Sequence, residues 1–202
     1  MAQLTQKQFV DGAASAIAGR CFSGNSADAG IALIAPATGG GHPTLINYAG
    51  SDCVVMVRRL RLTYVSGNNA PVGIIWGKTT GIGSSAATGT PLLTATAATK
   101  EPAILGSGST GNPLVVWSPT TNTFTAAPTS PYRDTGISLF TGIASTAVAP
   151  FTLIAEEQYF GLYPGTAISL CTKGTTTTAL FRVTLEWEEI PFSAFPGSSI
   201  IP

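Results

Sequence analysis

Within the run Ala179 to Glu189, apolar and polar residues alternate without a break from Phe181 to Glu188, Phe181, Val183, Leu185 and Trp187 against Arg182, Thr184, Glu186 and Glu188. A side-chain period of two sends the first set to one face of a sheet and the second to the other, which a helix of period 3.6 could not do. The run predicts an antiparallel strand with one dry and one wet face, and so a wall of a β-sandwich or barrel. On that reading Trp187 lies in the core, while Glu186 and Glu188 keep the outer face soluble and discourage edge-to-edge pairing. Glu188 should then be dispensable.

A second long run, Cys53 to Val65, carries Leu60, Leu62 and Tyr64 on one parity and Arg59, Arg61 and Thr63 on the other. Arg58 shares the parity of Leu60, so a bulge near Arg58 and Arg59 is predicted to reset the faces. Ser66-Gly67-Asn68-Asn69 supplies turn residues, and Val72 to Trp76 reads as the returning arm of a hairpin. Thr44 to Tyr48 and Ile31 to Ile34 are further strand candidates, and Gly39-Gly40-Gly41-His42-Pro43 reads as a turn. Ile137 to Phe140, Phe151 to Ile154, Tyr159 to Tyr163 and Ala167 to Cys171 are short runs punctuated by Pro164-Gly165 and Lys173-Gly174. At least eight strands follow, in the spacing of an all-β sandwich.

Two stretches depart from this pattern. Thr5-Gln6-Lys7-Gln8 forms a capping box ahead of Phe9, Ala13, Ala16 and Ile17 at helical spacing, which predicts a short N-terminal helix in need of a surface to dock on. From about residue 78 to 135 the chain is rich in Thr, Ala, Gly, Ser and Pro, and reads as a long excursion with one true strand at Leu114 to Trp117. The predicted organisation is a helical arm over 1–20, a single sandwich over 21–190 and a tail over 191–202. That tail, with Phe192, Phe195, Ile200 and Ile201 among the three prolines Pro191, Pro196 and Pro202, is apolar yet unable to form a helix or an inner strand, so it should dock on a neighbouring subunit.

Composition narrows the chemistry. Of the 202 residues 10% are charged, and ten basic side chains balance ten acidic ones, against roughly 25% charged residues in ordinary soluble domains. No global field would gather nucleic acid or an anionic membrane. A weakly charged surface suits permanent assembly. Cys21, Cys53 and Cys171 lack the spacing of a zinc or redox pair and are expected as buried hydrophobes, with no metal and no cofactor. The opening residues lack the basic flank and apolar core of a secretory leader, and no run has the ~20 apolar residues of a membrane span, which predicts synthesis and folding in a cytoplasm.

Candidate sites are few. His42, the single histidine, is expected in an exposed turn with no partner, so its loss should leave stability unchanged. Gly77-Lys78-Thr79-Thr80 imitates a phosphate loop but falls inside a strand, and Gly81-Ile82-Gly83-Ser84-Ser85-Ala86 imitates a dinucleotide fingerprint without a following helix. Glu156, Glu157, Glu186, Glu188 and Glu189 could be paired carboxylates or weak cation ligands, although a solvated face explains them more simply. Arg58, Arg59 and Arg61 form the one basic cluster, expected to bridge carboxylates of a neighbouring strand or subunit. Trp76, Trp117 and Trp187 could line a sugar site, but on strands they are expected in the core.

Pro164-Gly165-Thr166-Ala167-Ile168-Ser169-Leu170 and the closing Val183-Thr184-Leu185-Glu186-Trp187-Glu188-Glu189-Ile190-Pro191, with the Arg61 to Trp76 segment, resemble the small jelly-roll virion proteins of tailed bacteriophages, the decoration, cement and head-fibre type. The resemblance implies an all-β, antiparallel jelly-roll-like sandwich that is not an enzyme. It further implies a protein made in the host cytoplasm and carried on the virion, commonly as a homotrimer, with the major capsid protein as partner. Phe9, Arg58, Arg59, Arg61, Phe192, Phe195, Ile200 and Ile201 are the interface candidates. A receptor- or carbohydrate-binding module of a phage tail or fibre is the alternative; a hydrolase built on His42 is a third.

Overall fold

Alternating residues become strands along almost the whole described chain. The computed structural model describes residues 18–67, 72–83, 92–95, 97–104, 108–120, 122–139, 152–155, 160–174 and 178–194. The first strands are β1 (Cys21–Asn25), β2 (Ile31–Ala32), β3 (Gly39–Gly40), β4 (Thr44–Asn47) and β5 (Cys53–Ser66). Next come β6 (Val72–Thr80), β7 (Leu92–Ala95), β8 (Lys100–Pro102), β9 (Val115–Ser118) and β10 (Asn122–Phe124). The last are β11 (Thr129–Leu139), β12 (Thr152–Ala155), β13 (Phe160–Leu162), β14 (Thr166–Thr172) and β15 (Leu180–Pro191), followed by a 3-10 turn at Phe192–Ala194. Among the described residues there is no α-helix. The helix predicted over residues 5–17 lies outside them.

Two antiparallel sheets face each other in a sandwich-like arrangement. The front sheet runs β12-β5-β15-β1-β8, with β13 also on β5 and β2 also on β15, and the back sheet runs β11-β6-β14-β4-β9. A small third sheet, β3-β10-β7, lies outside the back sheet, where Phe124 of β10 joins Ile46 of β4 and Ala167 of β14 in a second apolar cluster. The main core lies between front and back. Leu60, Leu62, Phe181, Val183 and Leu185 come from the front sheet, and Leu45, Ile74, Trp76, Ile168 and Leu170 from the back. All three tryptophans are about 1% exposed, as the strand alternation requires.

The bulge predicted in β5 is present. Arg59 stands opposite Glu186 and Val57 opposite Trp187, so Arg58 is the extra residue. Val55 and Val57 before it and Leu60, Leu62 and Tyr64 after it all reach the core, which the change of parity makes possible.

Two expectations fail here. The β5–β6 hairpin does not form, because both edges of β5 are already occupied, one by β15 and the other by β12 and β13. Gly67 (φ +93°) begins a crossing to the back sheet, where β6 pairs with β14 and β11; a Cβ there would overlap the Thr178 carbonyl. Nor does the excursion hold a single strand: β7, β8, β9 and β10 all lie within it, β8 extending the front sheet beside β1 and β9 the back sheet beside β4. Its Trp117 fills the seam between the two extended edges. Gly24 of β1 makes room, since a Cβ there would overlap the indole ring, whose Nε1 donates to the Asn25 carbonyl at 3.3 Å.

Candidate functional site: an arginine face and a clamped insertion

The bulge determines the chemistry of the outer front face. With one extra residue in β5, Arg58 and Arg59 both turn outward, Arg58 to Glu188 and Arg59 to Glu186 at 3.7 Å, while Arg61 reaches Glu186 at 2.8 Å. Arg20, just before β1, approaches Glu188 at 4.0 Å from the other side. Arg182 meets Asp28 at 2.9 Å farther along the face. The expectation that these arginines bridge a neighbouring strand is met within the chain. Five of the protein's six arginines thus share one face with Asp28, Glu186, Glu188 and Glu101, the last placed there by its register with Ser23 and so with Glu186. The five-to-four ratio leaves a slight excess of positive charge on this face of a neutral protein. Threonines continue it: Thr63 and Thr152 hydroxyls lie 3.2 Å apart, and Thr184 donates to Asn25 Oδ1 at 2.7 Å.

The carboxylates of β15 are less exposed than alternation predicts. Glu188 is 2% and Glu189 5% exposed, so neither belongs to a solvated face; that expectation holds only in part, for Glu186. Arg58 and Arg20 cover Glu188. Glu189 lies one residue further, on the parity of Trp187, where the sandwich ends and the insertion closes over it. Lys100 Nζ from β8 donates to Glu189 Oε1 at 2.8 Å and to the carbonyls of Asn112 and Val115. The Asn112 amide donates to Glu189 Oε2 at 2.5 Å, and Trp187 Nε1 donates to Oε1 at 3.1 Å. Gly111, at φ +64°, lets the loop approach, because a Cβ there would come within 2.7 Å of Glu189 Oε2 and of Phe22. Periodicity cannot reveal this clamp, since its partners lie about ninety residues apart. Glu156 and Glu157 lie outside the described residues.

His42 is not in an exposed turn. Gly39 and Gly40 pair with β10, and the small sheet covers the imidazole completely. The Ala37 amide donates to His42 Nε2 at 3.2 Å, Cys171 Sγ lies 3.5 Å from Nδ1, and Phe124 packs edge-on. The Asn122 side-chain amide donates to the His42 carbonyl. Burial holds the imidazole below its ordinary value of 6.5. The unfolded chain therefore takes up a proton near pH 6.5 before the folded protein does, and stability present above that pH is lost as it falls. Denaturant midpoints measured at pH 7.5 and 5.5 should show a drop in the native protein that is smaller in His42→Gln. The same drop in both would remove His42 as its cause.

Burial raises the thiols as well, Cys53 to about 11 and Cys171 to about 12, so both are protonated at neutral pH. Among the described residues no group of three or more His, Cys, Asp or Glu could hold a metal ion, and no helix is long and apolar enough to cross a membrane. Gly77 to Thr80 are part of β6, and no helix opens at Gly81 to Gly83. Of the tail, Phe192 is half-buried and stacks on Tyr163 of the same chain at 6.5 Å. Phe9, Phe195, Ile200 and Ile201 lie outside the described residues. No family model, curated protein or solved structure matches the chain.

Proposed function

We propose that this is a non-enzymatic structural protein that decorates or cements a bacteriophage capsid, built on a jelly roll. The observation carrying the fold reading is the pairing order. Taking β1, β4, β5, β6, β11, β12, β14 and β15 as eight successive framework strands, the first pairs with the eighth, the second with the seventh, the third with the sixth and the fourth with the fifth. The eighth also pairs with the third and the seventh with the fourth. A long antiparallel ribbon wrapped into two sheets has this order, and jelly rolls of that kind are used in capsid proteins and lectins. The buried, hydrogen-bonded His42 and the protonated thiols support a role without catalysis, since a base or nucleophile must reach its substrate.

Attachment falls to the arginine face, where the excess of guanidinium over carboxylate suits an acidic shell surface, and the tail beyond Ala194 is assigned to contacts within a homotrimer. Empty capsids assembled without the protein should bind it to saturation, and Arg59→Glu with Arg61→Glu should weaken binding by about tenfold or more. Light scattering should give three times the chain mass for the intact protein and a smaller species after truncation beyond Ala194. Absence of capsid binding would overturn the decoration role, and a monomeric intact chain would overturn the trimer.

A further inference from the structure

At the same end of the sandwich as the clamp but on the other side of β5 and β15, where Leu162 is level with Val55 and Glu189, a cleft of about 210 Å³ opens between β13 of the front sheet and β6 and β14 of the back. We propose that it binds one carboxylated sugar residue of a glycan. Tyr163 and Tyr132 flank the opening and are 63% and 43% exposed, two of the five exposed large hydrophobic side chains of the described protein. Both rings are held from behind, Tyr163 by the stacked Phe192 and Tyr132 by the edge of Phe160 at 5.9 Å. Rigid exposed aromatic rings offer a π-face of negative potential to the C–H face of a pyranose at little entropic cost. Gly161 contributes backbone to the front wall, while Thr80 and Thr166 add hydroxyl-bearing side chains to the lining.

Lys78 selects the sugar. It carries the one charge among the lining side chains and lies 5.6 Å from the Tyr132 ring centre, so a ligand carboxylate meets an ammonium with no competing acid in the cleft. The volume is below the roughly 300 Å³ at which pockets for drug-sized molecules begin, which fits one ring of a longer chain. This site does not rest on the capsid reading, and it lies on different residues from the arginine face.

Matched sugar pairs test it by ligand-observed NMR titration of the full chain: methyl glucuronide against methyl glucoside, and sialyllactose against lactose. The acidic member of at least one pair should bind about tenfold or more tightly than its neutral partner. Lys78→Met should level that preference, and Tyr163→Ala should abolish binding; both side chains are exposed, and thermal melts verify that the variants fold. Saturation transfer on the unaltered protein should mark the ring C–H protons. Binding of neither acidic sugar, a preference that survives Lys78→Met, or binding that survives Tyr163→Ala would each overturn the proposal.

Discussion

Trp187→Ala is expected to destabilise the protein by about 3 to 5 kcal/mol, the largest effect of any single truncation in the final strand. The side chain is 1% exposed, packs on Phe22 at a ring distance of 6.3 Å and donates to Glu189. Its loss removes apolar area from the core, leaves a cavity that the paired strands on either side of β15 hinder from closing, and deprives a buried carboxylate of one donor. Urea melts should show a lower midpoint with little change in slope. Glu188→Ala is the comparison. It is buried but its partners Arg58 and Arg20 are about one-third exposed and can rehydrate, so a cost of about 1 kcal/mol is expected. Equal losses in the two variants would contradict the assignment of faces.

Lys100→Met should be as damaging, at about 3 to 5 kcal/mol, because it leaves the buried Glu189 carboxyl without its cation. The side chains are 13% and 5% exposed, so solvent screens the pair little. Lys100 also satisfies two carbonyls of the loop, at Asn112 and Val115, and the variant should loosen that loop locally as well as lower global stability. Adding Glu189→Gln to Lys100→Met removes the unpaired carboxyl, and a double-mutant cycle should recover part of the loss. A cost below about 1 kcal/mol for Lys100→Met, or no recovery in the double variant, would mean that the pair is not the clamp.

What could be read from the sequence was local in origin. The faces of β15, the bulge at Arg58 and the burial of the tryptophans each follow from alternation within one strand, and alternation survives wherever the strand is placed. What escaped depends on which strand covers which. Nothing near His42 announces that β10 will lie over it, and nothing near Glu189 announces Lys100. The β5–β6 hairpin fails for the same reason: Gly67 does take a positive φ, but the pairing capacity of β5 is taken by strands far away in sequence. The arginine face was legible as a cluster, though not as a patch with Arg20 and Arg182, which come from opposite ends of the chain. In the sequence Lys78 belongs only to a false phosphate loop. Its position beside two exposed tyrosines emerges from the meeting of β6, β11 and β13.

The position of β15 has a consequence for synthesis. This strand runs through the middle of the front sheet, with β5 on one side and β1 and β2 on the other. Until residues 180–191 have left the ribosome, β1 and β5 have no common neighbour, and their apolar faces and open edges must wait. Folding is therefore a late, long-range event, slow in the manner of all-β sandwiches. Prematurely terminated chains would carry unpaired strands with the greatest tendency to aggregate, so translation through the final strand is the step on which the yield of usable protein depends.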